Sequence, residues 1–308
     1  MNDMAKSQLI GGCEPGGRLK FEGFYMILEV PSMYAKVYVE ITNICNRNCS
    51  FCPGTVRPLG RMTLEAFKTI AGKLRGLTQY VYYHLMGEPL THPDLPEMIR
   101  HAGQLGLRSI ITTNGTLLPK RGRELIEAGV YKVNISVHSF EEGTREQQLA
   151  YLNDCFDFAG AAADAGVLVV LRLWNRGYDE GRNIDTLALL EERFGGGWKV
   201  ERRGTRIRDR VYLEQGERFD WPDLSAPDYG DRVFCYGLKD QFAVLCDGRV
   251  VPCCLDREGA MTLGNLLRQD PEAILQSPKA REIADGFRNR KATQELCRRC
   301  GYARRFDK

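Results

Sequence analysis

From residue 37 to about residue 203 the chain alternates between short apolar runs and longer amphipathic stretches. The runs are rich in Val, Ile, Leu and Tyr and mostly lack polar alternation, as in strands covered on both faces. Gly106, Gly129 and Gly166 follow the amphipathic stretches, as expected after helix ends. The pattern predicts strands at 37–42, 80–85, 107–113, 131–137, 167–174 and 198–202, and helices at 62–75, 94–104, 119–128, 144–165 and 184–194.

This alternation predicts an α/β protein with a parallel sheet and right-handed helical crossovers. A flavodoxin-like or Rossmann sheet is the alternative. No G-x-G-x-x-G fingerprint follows the first predicted strand, so nothing in the sequence supports dinucleotide binding there. That loop carries Cys45, Cys49 and Cys52 instead, three cysteines within eight residues.

Three thiolates on one tight loop can hold three irons of a cubic [4Fe–4S] cluster and leave the fourth iron open. A closed structural zinc site uses four ligands, usually in two short pairs. The odd number of cysteines therefore favours an iron–sulfur centre with an open position. Three cysteines placed by chance, or part of a zinc site, are the alternatives.

The C-x3-C-x2-C spacing, with Phe51 directly before the third cysteine, resembles the radical SAM superfamily. The resemblance implies a partial (β/α)6 barrel with its chemistry at the C-terminal ends of the strands. It implies that Cys45, Cys49 and Cys52 bind a [4Fe–4S] cluster whose open iron binds S-adenosylmethionine (SAM). It further implies reductive cleavage of SAM to a 5′-deoxyadenosyl radical, and an electron donor such as flavodoxin or ferredoxin.

The loops after the later strands carry further family-like segments. Met86-Gly87-Glu88-Pro89 resembles a Gly-Gly-Glu-Pro segment, with Met86 in place of the first Gly. A guanidinium in the apolar fifth strand needs an ionic or hydrogen-bonding partner. The SAM carboxylate and a surface acid are equally weighted partners for Arg172. The resemblance thus implies six candidates for contact with SAM, which are Phe51, Gly87, Glu88, Asn114, Ser136 and Arg172.

His138 follows the fourth predicted strand, where relatives usually carry Asp. It is a candidate proton carrier at the substrate, because the histidine pKa lies near neutral pH. A structural histidine with satisfied hydrogen bonds is the alternative of at least equal weight.

The last quarter of the chain holds a second group of cysteines. A hairpin is predicted at 242–245 and 249–251 around Asp247-Gly248, with helices near 271–276 and 279–288. Four cysteines with this spacing suit a tetrahedral zinc site as well as a cluster. Beside the upstream motif, the arrangement resembles the Twitch or SPASM auxiliary domain.

A full SPASM domain carries further cysteines after the Cys297-x2-Cys300 pair, and none follows here. We therefore expect one auxiliary [4Fe–4S] cluster, with Cys254 as the competitor for the place of Cys253 and Cys246 as a strand residue. The expected ligands are Cys235, Cys253, Cys297 and Cys300.

The chain has 308 residues, which allows one large and one small domain. We predict a flexible arm or first strand at 1–30, a radical SAM barrel at 31–220 and an auxiliary domain at 221–308. The net charge of +3 predicts neither nucleic-acid nor membrane binding, and no apolar run is long enough to span a bilayer. Eleven cysteines without an export signal favour metal binding in the cytoplasm. Cys13 and Cys155 are isolated and are not assigned to either centre.

The predicted function is a radical SAM oxidoreductase or maturase that dehydrogenates or crosslinks a peptide or small molecule, assisted by the auxiliary cluster. A separate leader-peptide-binding protein is a further candidate partner. Two alternatives differ in class. One keeps the SAM chemistry and replaces the auxiliary cluster with structural zinc, and the other is a non-catalytic iron–sulfur sensor or scaffold that binds SAM.

Overall fold

The computed structural model describes the backbone at 18–21 and 24–27 and the complete residues 34–306. The strands β1 (Arg18–Phe21) and β2 (Phe24–Ile27) pair with each other in antiparallel register. Most of the predicted arm at 1–30, including Cys13, lies outside the described residues.

The predicted alternation of strands and helices is confirmed, with small shifts at the element ends. Two helices of this region begin at side-chain caps: at the first helix the Thr63 side chain accepts a hydrogen bond from the Ala66 N–H, and at the fourth Thr144 forms a capping box with Gln147. In chain order the elements are β3 (Lys36–Val39), α1 (Leu64–Leu74), β4 (Tyr80–Tyr82), α2 (Leu95–Gln104), β5 (Arg108–Thr113), α3 (Leu118–Glu127), β6 (Lys132–Ile135), α4 (Arg145–Asp164), β7 (Leu168–Arg176) and α5 (Arg182–Phe194).

The sixth parallel strand differs from the prediction. The segment predicted at 198–202 forms β8 (Lys199–Glu201), an exposed outer strand that pairs in antiparallel register with β9 (Gly204–Arg208). The strand β10 (Val211–Glu217) pairs with β7 in parallel register instead. Since β10 buries Val211 and Leu213 whereas all three residues of β8 are exposed, β10 takes the place beside the core.

Side chains alternate between the two faces of the parallel strands. Odd-numbered residues such as Val37, Val81 and Val169 pack with the helices in the main hydrophobic core. Even-numbered residues point to the opposite face, which forms the inside of the partial barrel. Many of these inner residues are polar: Lys36, Tyr38, Glu40, Tyr82, His84, Thr112, Asn114, Lys132, Asn134, Ser136, Arg172 and Glu214.

The C-terminal segment extends the same sheet. The predicted hairpin is present as β11 (Gln241–Val244) and β12 (Arg249–Val251), and β11 pairs with β3 in parallel register. The strand order is β13-β12-β11-β3-β4-β5-β6-β7-β10-β9-β8, so the sheet crosses the predicted domain boundary at 220/221. The remaining elements are β13 (Gly264–Asn265), α6 (Pro271–Leu275), α7 (Pro278–Arg288) and α8 (Glu295–Arg298).

No helix in the described part of the chain combines the length and the apolar character needed to cross a membrane.

Candidate active site

The three cysteines of the first motif lie on the irregular loop between β3 and α1. Cys45 is exposed, while Cys49 and Cys52 are half-buried. Burial is the main cause that raises the pKa of the Cys49 thiol to about 12, and the nearby Glu141 and the other two thiols contribute to the rise. Burial also raises the pKa of Cys45. Iron bound to Cys45 and Cys49 would therefore have to offset their preference for the protonated form.

This cysteine loop is anchored by residues that are distant in sequence. The Glu141 carboxylate accepts hydrogen bonds from the Ser50 N–H at 2.5 Å and the Ser50 hydroxyl at 2.6 Å. It also pairs with Arg218 at 2.7 Å. Arg47 donates to the Ser139 carbonyl at 3.2 Å. The segments that follow β6 and β10 thus hold the loop in place, and the sequence carried no signal that selected Glu141 or Arg218.

Gly87 and Glu88 lie directly against the same loop. Gly87 has φ +77°, and a Cβ built there would stand 2.5 Å from the Thr42 carbonyl oxygen. The Glu88 N–H donates to the Ile44 carbonyl at 2.9 Å, and its carboxylate accepts the Asn114 N–H at 2.7 Å. Burial raises the pKa of Glu88 to about 7, partly offset by these backbone N–H groups. Glu88 therefore joins the loops that follow β3, β4 and β5.

Asn114 extends this network to the cysteines. Its side-chain amide donates to the Asn46 side-chain oxygen at 2.9 Å and lies 3.9 Å from the Cys45 sulfur. Asn46 in turn donates to the Thr116 hydroxyl at 2.8 Å. The structure thus brings Gly87, Glu88 and Asn114 together beside Cys45.

A cavity of about 470 Å³ lies on the inner face of the sheet. Phe51, Ser136, His138 and Arg172 contribute to its wall, as do the C-terminal cysteines Cys235, Cys253, Cys254, Cys297 and Cys300. The cavity therefore joins the barrel interior to the second group of cysteines.

His138 is held by one ring nitrogen. Its Nδ1 lies 2.8 Å from the Arg172 carbonyl oxygen and 3.4 Å from the Trp174 N–H; the shorter contact is to an atom that can only accept, which favours a proton on Nδ1. In the neutral ring this leaves Nε2 as an acceptor. Burial lowers the pKa of His138 to about 4, and the Phe51 ring packs 5.0 Å away. A neutral, oriented imidazole fits both roles considered for His138.

The Arg172 guanidinium already has a carboxylate partner in the structure. It pairs with Glu214 of β10 at 3.1 Å and stacks 4.6 Å from the Trp174 ring. Because both strands are neighbours in the sheet, this pair lies within the barrel wall.

The two adjacent C-terminal cysteines both lie near the other predicted ligands. Burial is the main cause of the raised pKa of Cys253, and Cys235, Cys254, Cys297 and Cys300 also raise it. Cys254 packs with Tyr38 and Leu85 against the sheet, and it adds to the effect of burial in raising the pKa of Cys235. Cys253 as the ligand, with Cys254 as its alternative, therefore stays a prediction.

The remaining cysteines lie elsewhere. The Cys246 N–H donates to Glu40, and its sulfur lies 3.9 Å from Arg57. Cys155 is fully buried in the helical core. Within the described residues, no three His, Cys, Asp or Glu side chains stand at the distances of ligands around one metal ion.

Two family models match this chain. The radical SAM superfamily model matches residues 39–197, more than half of the chain. The chain belongs to the radical SAM superfamily. The SPASM iron–sulfur cluster-binding domain model matches residues 235–301. The cofactors of this radical SAM protein are therefore SAM and a [4Fe–4S] cluster, and the SPASM region binds auxiliary iron–sulfur.

Curated relatives match parts of this radical SAM chain. It is 33% identical over 111 residues to the AdoMet-dependent heme synthase of Methanosarcina barkeri, covering 35% of this chain and 32% of the relative. It is 31% identical over 121 residues to the PqqA peptide cyclase of Bradyrhizobium diazoefficiens, covering 38% and 32%. The chain thus spans about a third of the length of these relatives.

Solved structures confirm the fold over most of the chain. The structure of BtrN in complex with AdoMet and 2-DOIA covers 87% of this chain and 93% of BtrN, with a TM-score of 0.55 and 20% identity. The structure of anSMEcpe with bound AdoMet covers 82% and 83%, with a TM-score of 0.56 and 14% identity. The prediction of a partial radical SAM barrel with a cysteine-rich auxiliary region is confirmed.

Proposed function

We propose that this chain is a radical SAM oxidoreductase or maturase that dehydrogenates or crosslinks a peptide or a small molecule. In this proposal the barrel comprises residues 31–220 and the auxiliary domain residues 221–308. The SAM-binding cluster is held by Cys45, Cys49 and Cys52. One auxiliary [4Fe–4S] cluster is held by Cys235, Cys253, Cys297 and Cys300.

The observation that carries this proposal is the shared cavity. Phe51 of the cysteine loop and the four proposed auxiliary ligands contribute to the wall of one space. SAM and its cluster supply, when bound, a 5′-deoxyadenosyl radical that abstracts hydrogen. A substrate in this space would lie against Phe51 of the first cysteine loop and against the proposed auxiliary ligands, which suits a reaction that removes hydrogen and an electron from one molecule.

The chain's own residues orient the reactants. Glu88 and Asn114 fix the loops around Cys45, and the half-buried Phe51 separates the cysteine loop from the cavity. His138 presents Nε2 as a proton acceptor, which suits the loss of a proton from an oxidised substrate. Four protein thiolates around the auxiliary cluster leave it no open iron, so its suited role is electron transfer.

The proposed partners follow from the same chemistry. An electron donor such as flavodoxin or ferredoxin supplies the reducing electron. A peptide substrate is supported by the similarity to a PqqA peptide cyclase. A separate leader-peptide-binding protein is a further proposed partner for a peptide substrate. A small-molecule substrate is supported by the fold likeness to BtrN solved with 2-DOIA.

The test is the iron and zinc content of the anaerobically reconstituted protein beside a Cys45/Cys49/Cys52→Ala variant. We expect about eight irons in the wild type and about four in the variant, since each [4Fe–4S] centre holds four. Cys246→Ala is the control and should keep all the iron. The triple variant should form no 5′-deoxyadenosine with a strong reductant.

Each alternative has its own outcome. About four irons falling to none with one zinc retained would make the C-terminal centre structural zinc. Bound SAM without 5′-deoxyadenosine formation in the wild type would make the protein a sensor or scaffold. Persistent SAM cleavage in the triple variant would contradict the assignment of Cys45, Cys49 and Cys52.

A further inference from the structure

Two lysines face the inside of the barrel. Tyr38 of β3, Tyr82 of β4, Ile110 of β5 and Lys132 of β6 are successive partners across the sheet. Lys132 therefore lies on the inner face at the level of Tyr38. Lys36 lies on the same face, two residues before Tyr38, and contributes to the wall of the cavity.

The charges around Lys36 do not neutralise it. Its ammonium lies 5.5 Å from the Tyr38 ring and 5.7 Å from the Tyr82 ring. Burial lowers its pKa, and the charged groups that act on it are Arg172, Asp240 and the Cys254 thiol. Among residues 34–306, no carboxylate stands at ion-pair distance from the Lys36 ammonium.

The surroundings of Lys132 are also positive. The pKa of Lys132 is lowered to about 8. Burial is the main cause, Arg172, Arg203 and Lys36 also lower the pKa, and Glu214 raises it. Glu214 is already paired with Arg172 at 3.1 Å. Within the part of the chain that the structure describes, Lys132 makes no salt bridge. Lys36, Lys132, Arg172 and Glu214 together therefore carry three positive charges and one negative charge, before the negative charge of a bound auxiliary cluster is counted.

Both lysines are half-buried, and a half-buried ammonium without a carboxylate partner favours the binding of an anion beside it. Aromatic side chains of the cavity wall, including Tyr82, Trp174 and Tyr302, offer contacts to an apolar or cyclic body. We propose that the substrate is an organic anion whose carboxylate or phosphate binds to Lys36 and Lys132 inside the barrel. This inference rests on the proposed function and names the class of its substrate.

The same charges exclude an amine at this position. A substrate ammonium would lie beside Lys36, Lys132 and Arg172. Repulsion between like charges at close range would make its binding free energy less favourable by several kcal/mol.

The test uses isothermal titration calorimetry on the full chain, reconstituted anaerobically and saturated with SAM. The probes are benzoate, phenyl phosphate and benzylamine, which share one ring and differ in the charged group. We expect one or both anions to bind and benzylamine not to bind. The tighter of the two anions identifies the carboxylate or the phosphate as the source of the negative charge.

Variants assign the binding to the lysines. Lys36→Met and Lys132→Met should each weaken the better anion about 10-fold or more, as expected for loss of a charge-assisted contact. Lys36→Arg should restore much of the affinity. Lys120→Met removes an exposed lysine of α3 and is the matched control, with unchanged affinity expected. Iron content and circular dichroism check that every variant is folded.

Three results would overturn the inference: benzylamine binding as tightly as the anions, neither anion binding, or both Met variants binding like the wild type. A Lys36→Met variant with an altered reduction potential of the auxiliary cluster and unaltered anion binding would assign the lysine to the cluster instead.

Wild-type formation of 5′-deoxyadenosine is measured separately and tests the proposed function. Anion binding without 5′-deoxyadenosine would contradict that function and keep the anion site. Formation of 5′-deoxyadenosine without anion binding would keep the proposed function and overturn only this inference.

Discussion

Gly87 tests how closely the loop after β4 must approach the cysteine loop. Its φ of +77° lies in the left-handed region, and a Cβ there would meet the Thr42 carbonyl oxygen at 2.5 Å and two Asn43 backbone atoms at 2.9 Å. Gly87→Ala therefore carries two penalties. The left-handed conformation costs ~1–2 kcal/mol for a residue with a Cβ. Relief of the overlap requires backbone movement, at a further ~1–3 kcal/mol.

Gly106 provides a matched control at the end of α2. Its φ is also +77°, but nothing lies within 4 Å of a Cβ built there. Gly106→Ala should therefore carry only the conformational penalty. We expect Gly87→Ala to lower the free energy of unfolding by ~1–3 kcal/mol more than Gly106→Ala.

The assay is urea unfolding of both variants. Their unfolding midpoints report the difference in stability when their m-values are equal. Gly87→Ala should also weaken SAM binding, because the displaced loop carries Glu88, which anchors Ile44 and Asn114 beside Cys45. Gly106→Ala should bind SAM like the wild type. Equal unfolding midpoints would show that the two loops separate without cost, and unchanged SAM affinity in Gly87→Ala would refute the role given to this contact.

Two further predictions concern buried charges. Arg57→Met leaves the fully buried Glu40 carboxylate without its partner at 2.7 Å and should lower the free energy of unfolding by ~3–5 kcal/mol. Lys68→Met breaks an exposed, solvent-screened ion pair and should lower the free energy of unfolding much less than Arg57→Met in the same urea assay; equal losses would contradict the prediction. Burial lowers the pKa of His84 to about 3, so the folded state binds fewer protons than the unfolded state between pH 3 and 6.5. The contribution of neutral His84 to the free energy of unfolding is thus fully present above pH 6.5. It is lost as the pH falls, by at most ~1.4 kcal/mol per pH unit. His84→Gln should flatten this decline in acid unfolding curves, and a slope equal to that of the wild type would contradict the prediction.

The sequence was most informative where the signal is local. Three cysteines within eight residues after the first strand must lie close together in any fold, because the chain between them is too short to separate them. The strand and helix pattern is equally local, since it depends on side-chain period. For this reason all five predicted helices of the barrel are present within a few residues.

The sixth barrel strand shows where local information ends. Both 198–202 and 211–217 form strands, and only the pairing of β10 with β7 makes the second one part of the parallel series. That pairing depends on which strand buries apolar residues against α4 and β7, and these lie more than thirty residues away.

By itself, the sequence determined the cysteine motif, the family resemblance and the order of the elements. Only the tertiary structure decided that Glu141 and Arg218 anchor the cysteine loop and that Lys36 and Lys132 lie on one face of the sheet. The reason is physical. Spacing and periodicity belong to neighbouring residues, whereas burial and the charge of a cavity are sums over side chains that meet only when distant strands pair.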